Sequence, residues 1–219
     1  MSIEQNLKNI KESLPKHVTL VAVSKTKPDS DLKEAYEAGQ RIFGENKIQE
    51  MVQKWESLPK DIEWHMIGHV QRNKVKFMAP FVALVHGVDS FRLLKEIDKQ
   101  GKKQNRIIHC LLQIHIAEED TKFGLNKTEL LEIIDATASA SLENIKIIGL
   151  MGMATFTQDQ VQLHREFKQL KSIYISLQEK IPDVSVLSMG MSGDYQIAIE
   201  EGSNMIRIGS SIFGARNRH

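Results

Sequence analysis

A chain of 219 residues with 41% hydrophobic content can enclose one sizeable core, enough for one large α/β domain or two small ones. Its 29 Lys and Arg against 28 Asp and Glu leave a formal net charge of +1, so no field of one sign exists to gather nucleic acid or an anionic membrane. The N-terminal stretch MSIEQNLKNIKESLPKHVTL carries charge every few positions and no apolar run long enough for a signal peptide or a membrane span, which makes the cytoplasm the expected location.

Along the chain, short β-branched apolar runs alternate with charged segments of helical period, the expected trace of βα units that close a parallel sheet. VTLVAVS ends near Ser24 and is followed by the amphipathic DSDLKEAYEAG, with Asp29 or Ser30 placed to start a helix and Gly39 to end it. RIFGEN ends near Asn46 and WHMIG near Gly68. FVALVHGV ends near Val88; Asp89 or Ser90 then stands before the helix-like SFRLLKEIDKQG and Gly101 after it. RIIHCLLQI ends near Ile114 and contains Cys110, the lone cysteine, which cannot form an internal disulfide and reads as a small buried hydrophobe. IKIIGLMGM ends near Met153, QVQLHREFKQLKSIYISLQEK supplies a long outer helix, VSVLSMG ends near Gly190, and MIRIGSSIFG completes the series.

No Pro or Gly-rich linker, low-complexity tract or repeat interrupts this order, and there are only five prolines, so one continuous domain over residues 1–219 is predicted. Eight strands with their crossovers suit a compact (β/α)8 TIM-type barrel, a fold of usually ~250 residues. A doubly wound open sheet is the competing architecture, and no G-x-G-x-x-G follows the first strand to support it.

Barrels of this kind place chemistry at the C-terminal ends of their strands. There the sequence puts Lys25, Glu45 and Asn46, His65, Lys122, Ser192, Arg207 and Gly209. Lys25 would project into the barrel mouth, where partial desolvation favours the neutral amine that attacks an aldehyde, giving a Schiff base. A lysine whose stem runs along apolar surface to solvent fits the same pattern. Lys27, before Pro28, has less reason to point inward. In MSGDYQIAIEEG, Ser192 and the amides of a short helix could grip a phosphate or merely cap the helix. In IRIGSSIFG, Gly209 lets the backbone approach a ligand, with the amides of Ser210 and Ser211 beside it. Arg207 shares the strand face of Gly209; a carboxylate such as Glu45 could equally be its partner. His65 and His69 have a metal-ligand spacing for a helix, but their segment reads as strand then turn, so no metal site is expected.

The segments AVSKTKP, FGENKIQE, WHMIGHVQRNK, KFGL, GLMGM, LSMGMSGD and RIGSSIFG, in this order, resemble the pyridoxal phosphate homeostasis protein family from about Val21 to Gly214. The resemblance implies a barrel similar to the N-terminal domain of alanine racemase, with pyridoxal 5'-phosphate (PLP) held on Lys25. It implies Arg207 near the pyridine nitrogen, Ser192, Gly209 and Ser210 on the phosphate, and Asn46 and His65 lining the ring pocket. Lys122 stands where the racemases carry an arginine near the cofactor, and Met151 is a further ring contact. An arginine beside the ring nitrogen keeps it unprotonated and makes the ring a poorer electron sink.

The racemases also need a second, β-rich domain that supplies a catalytic tyrosine, and this sequence stops at His219 with Tyr36, Tyr174 and Tyr195 as its tyrosines. The expectation is a monomeric PLP carrier for vitamin B6 homeostasis without turnover of its own, with PLP-dependent apoenzymes as transient recipients. A PLP-dependent amino-acid racemase or decarboxylase of narrow specificity, and a Schiff-base aldolase acting on a sugar phosphate, are the competing functions.

Overall fold

Each apolar run forms a strand: β1 (Thr19–Val23), β2 (Ile42–Glu45), β3 (Glu63–Met66), β4 (Val82–Val88), β5 (Ile108–His115), β6 (Ile145–Met153), β7 (Val186–Met191) and β8 (Met205–Ile208). The computed structural model describes residues 2–119 and 123–215. In it neighbouring strands pair in parallel and β8 returns to β1, closing the sheet into a barrel. The helices are α1 (Ile3–Ser13), α2 (Asp29–Glu37), α3 (Ile48–Ser57), α4 (Val75–Met78), α5 (Phe91–Lys103), α6 (Lys127–Ala140), α7 (Gln160–Lys180), α8 (Tyr195–Glu200) and α9 (Ser210–Phe213). The predicted (β/α)8 barrel is therefore the observed fold.

The period of two along each strand sorts side chains into two cores. Leu20, Ala22, Phe43, Trp64, Leu112, Leu150, Ile206 and Ile208 lie between sheet and helices. Val21, Leu84, Leu111, Met151 and Met205 point the other way and fill the barrel interior as a closed apolar floor. Residues two or four positions further along these strands then face inward above that floor, which is how a strand-end side chain reaches the mouth.

Helix punctuation follows the sequence with two corrections. Ser90 caps α5, its side chain accepting from the Leu93 N–H, and Gly39 leaves α2 at φ +83°. Neither Asp29 nor Ser30 is the α2 cap: Asp29 is the first helical residue, where its charge meets the positive end of the helix, and Pro28 precedes it. Gly101 does not end α5, which continues to Lys103. A Cβ there would stand 2.7 Å from the Asn144 carbonyl oxygen and 2.9 Å from that of Arg106, so the glycine serves close packing. Cys110 is fully buried and burial pushes its thiol pKa up, as its apolar surroundings suggest.

Candidate functional site

Lys25 stands two residues beyond β1, half-buried, in a tight turn closed by the Lys27 N–H donating to the Ser24 carbonyl at 3.0 Å. Val21 on the same strand is in the interior cluster, so alternation sets Val23 on the inner face, and Lys25 follows it in the turn at the C-terminal rim. Thr26 occupies the turn at φ +63°, a left-handed conformation rare for a β-branched residue. Lys27 turns away: its Nζ donates to the carbonyls of Phe213 at 2.8 Å and Ala215 at 3.2 Å, after α9.

On the neighbouring strand β8, Arg207 lies in register with Val21 and is 4% exposed. Its partner is not Glu45. Nη1 donates to the Ser188 carbonyl at 2.9 Å and to Ser188 Oγ at 2.6 Å, and Nη2 donates to the Gly152 carbonyl at 3.0 Å. Burial lowers its pKa to about 10 against the pull of Asp194, so at neutral pH the guanidinium remains a fixed cation. Glu45 faces outward because inward-facing Ile42 and Gly44 set the opposite parity; it pairs with Lys54 of α3 at 2.8 Å.

A buried chain continues from Arg207 through Ser188 and His86, which sequence reasoning missed, to His65. Ser188 Oγ lies 3.1 Å from His86 Nδ1, and His86 Nε2 lies 3.0 Å from His65 Nδ1. Arginine has no acceptor, so Ser188 Oγ accepts from Arg207. The two neutral rings are coupled in tautomer, because the His86 nitrogen that faces Ser188 and the one that faces His65 take opposite donor and acceptor roles. Burial depresses His65 to about 3, and burial, then His65, then Arg207 hold His86 well below the ordinary histidine range, so both rings are neutral at pH 7. The only signal for His86 and Ser188 in the sequence is a polar residue at inward parity inside an apolar run.

The turns after β7 and β8 meet at the rim: the Gly209 N–H donates to Ser192 Oγ at 3.3 Å, and exposed Ser210 opens α9 next to them. Ser192 is not the α8 cap; Asp194 takes that position and its carboxylate accepts from the Met191 N–H at 2.5 Å, shaping the turn. Burial raises the Asp194 pKa, opposed by that hydrogen bond and by Arg207. Asn46, at inward parity after β2, buries its Oδ1 with no hydrogen-bond partner among the described residues.

Met151 is fully buried within the apolar floor, below the rim residues. Lys122 lies outside the described residues. After it, Leu125 pairs with β5, its N–H donating to the Gln113 carbonyl at 2.8 Å and its carbonyl accepting from the His115 N–H at 3.0 Å. Gly124 permits this approach, since a Cβ would stand 2.4 Å from the His115 nitrogen. His69 is 3.3 Å from Asp89, apart from His65, and among the described residues no group of three or more His, Cys, Asp or Glu could hold a metal ion.

Against this geometry, the family model described as "Alanine racemase, N-terminal domain" matches residues 1–217. The pyridoxal phosphate homeostasis protein of Vibrio alginolyticus is 38% identical, with 99% of this chain and 98% of that protein covered. The chain belongs to the pyridoxal phosphate homeostasis protein family. A solved structure of similar extent is that of PipY of Synechococcus elongatus PCC7942 with PLP bound, 32% identical with a TM-score of 0.88 over 97% of this chain and all of that one. The alanine racemase of Clostridium difficile 630 is 15% identical, with a TM-score of 0.80 over 99% of this chain and 56% of its own, and shares the barrel. Homeostasis-family members are thus matched along nearly their whole length.

Proposed function

We propose that this chain holds pyridoxal 5'-phosphate at the C-terminal rim of a barrel domain spanning residues 1–219, attached through Lys25, and serves vitamin B6 homeostasis without turning over a substrate of its own. The observation that carries the reading is an amine at the C-terminal rim and a fixed guanidinium on the inner face of the adjacent strand, Lys25 after β1 and Arg207 on β8, with Val21 and Arg207 in register. A relative solved with PLP bound, PipY, supports the same cofactor.

The residues fit the group. Asn46 Oδ1 is a buried acceptor awaiting a donor, the arrangement expected where a ligand completes the hydrogen bonding. Ser192, Gly209 and Ser210 bring a hydroxyl and the first-turn amides of α9 to one spot, a suitable grip for a phosphate. When bound, PLP supplies an aldehyde carbon that condenses reversibly with an amine and releases water. Lys25 is the residue that would supply that amine. Arg207, tethered by Ser188 and Gly152, holds its positive charge in place and so disfavours a proton on a ring nitrogen brought beside it. His65 presents a neutral ring whose tautomer is coupled to that of His86, and Met151 supports the floor beneath. Lys122, which follows β5 in the sequence, is proposed to approach the same mouth.

The competing racemase reading needs a second acid or base across the ring. Tyr36 and Tyr174 lie on α2 and α7, outside the barrel, and Tyr195 opens α8, which supports holding over turnover. We further propose a cytoplasmic monomer that passes PLP to apoenzymes; no helix among the described residues is long and apolar enough to cross a membrane. The test is spectroscopic. Protein mixed with PLP is expected to gain a visible band distinct from that of free cofactor, and borohydride should fix a pyridoxyl group on the Lys25 peptide. A Lys25→Ala variant that keeps the full band would exclude this attachment.

A further inference from the structure

The two residues on either side of Lys25 are held from outside the barrel by one buried ammonium. Lys54 Nζ, on α3, donates to the Ser24 carbonyl at 2.8 Å, to Glu45 Oε1 at 2.8 Å and to Glu50 Oε1 at 2.7 Å. Ser24 Oγ donates to the same Glu45 oxygen at 2.6 Å, and the Thr26 N–H donates to the same Glu50 oxygen at 2.6 Å. Lys54 is 5% exposed and Glu45 fully buried, and the three protons of the ammonium are all used. Ser24 and Thr26 are thereby tied to α3 while Lys25 lies between them at the rim.

A buried ion pair is weak evidence for stability, because apolar side chains of the same volume often hold a fold as well. What this network specifies is a conformation. A non-glycine residue in the left-handed region costs roughly 1–2 kcal/mol, and a type II turn normally places Gly where Thr26 stands. The Glu50 carboxylate meets the one amide that this conformation turns toward α3, and Lys54 fixes the carboxylate.

We infer that Lys54, Glu45 and Glu50 are positioning residues for Lys25: they lock the turn 24–27 so that the Lys25 backbone is presented to the mouth in one orientation. The inference rests on Lys25 being the attachment point. A surface groove of about 640 Å³ passes Thr26, Gln53, Lys54 and Ser57 on the outer side of the turn, so a Thr26 amide released by Glu50→Ala can take a water.

The test compares wild type, Glu50→Ala, Glu50→Gln and the double variant Glu50→Ala with Thr26→Gly. Thr26 amide exchange is read by NMR without PLP, and capture of PLP by stopped-flow absorbance. Glu50→Ala removes two charge-assisted hydrogen bonds, from the Thr26 N–H and from Lys54, and loss of the one to Thr26 alone corresponds to about tenfold or more, so the variant should speed Thr26 exchange and slow capture by at least about that factor while unfolding stays cooperative. Glu50→Gln keeps an acceptor oxygen and should fall between. Gly adopts positive φ unaided, so Thr26→Gly in the Glu50→Ala background should restore capture. Capture at the wild-type rate despite accelerated Thr26 exchange overturns the inference, as does unchanged exchange. Should Glu50→Ala not fold, Glu50→Gln against wild type carries the same two outcomes. If wild type itself captures no PLP, the proposed function fails instead; the positioning role is then decided by Thr26 exchange together with trace acetylation of Lys25 by acetic anhydride, which must also slow in Glu50→Ala.

Discussion

Ser188 shows how one hydroxyl can organise a site. It is fully buried, receives the Arg207 guanidinium at 2.6 Å and faces His86 at 3.1 Å. Ser188→Ala leaves the Arg207 guanidinium and a His86 ring nitrogen each one partner short in a buried place. Such a loss costs about 1–3 kcal/mol, and urea unfolding should show it as a lower midpoint with an unchanged slope. Ser188→Thr, which keeps the hydroxyl, should lose less; equal losses would mean that volume and not hydrogen bonding matters at this position. That Lys25, Asn46, Ser192, Arg207 and Gly209 lie at or just past the C-terminal ends of strands was legible in the sequence, because the apolar runs mark where each strand stops. Ser188 and His86 were not, since a lone polar residue inside VSVLSMG or FVALVHGV does not announce its partner. Glu45 illustrates the remaining gap: parity opposite to that of Ile42 and Gly44 turns it outward, but only packing of α3 reveals Lys54 opposite.

At the scale of elements, period and punctuation located the strands and several helices, while close approaches between elements stayed hidden. Gly101 is the sharpest case. Helix propensity alone says that Gly101→Ala, inside α5, should stabilise by about 1 kcal/mol. The segments before β6 and β5 deny that gain, because the Asn144 and Arg106 carbonyl oxygens, one in each, stand where the methyl would go, 2.7 Å and 2.9 Å away, and both are backbone. Overpacking of this kind costs typically 1–3 kcal/mol, so the variant should melt below wild type. A higher melting temperature would show that the α5 to β6 contact gives way easily. Gly124 obeys the same logic, and Gly101 reads in the sequence as ordinary helix punctuation.

The closure of the whole barrel follows from counting eight runs, since each strand end then has a fixed place around one mouth; what burial does to charge inside it requires the folded molecule. His65 and His86 are neutral inside, with His65 depressed to about 3 by burial and His86 depressed by burial, then by His65 and Arg207. In the unfolded chain both titrate near ~6.5. Between the folded and unfolded values the unfolded chain binds protons that the folded chain refuses, so stability rises with pH in that window and falls as acid is added. Each histidine contributes at most about 1.4 kcal/mol per pH unit. Glu166 acts in the same direction lower down. Burial raises its pKa, but the hydrogen bonds from Thr155, Gln162 and the Glu118 amide prevail and depress it, so its contribution is present above the unfolded carboxylate value and lost as pH falls through the folded one. Glu45 and Asp194 oppose the trend: burial raises both, against Lys54 in one case and the Met191 amide and Arg207 in the other, and they bind protons in the folded state first. From pH 7 to pH 5 the two histidines should outweigh these carboxylates, and the urea midpoint should fall steadily. His65→Gln removes one titrating ring while keeping a polar side chain beside His86, so it should flatten the slope by about half of its two-histidine value. A midpoint that stays constant across this range would mean that the interior of the barrel admits protons without unfolding, and that its two rings are not held neutral by burial.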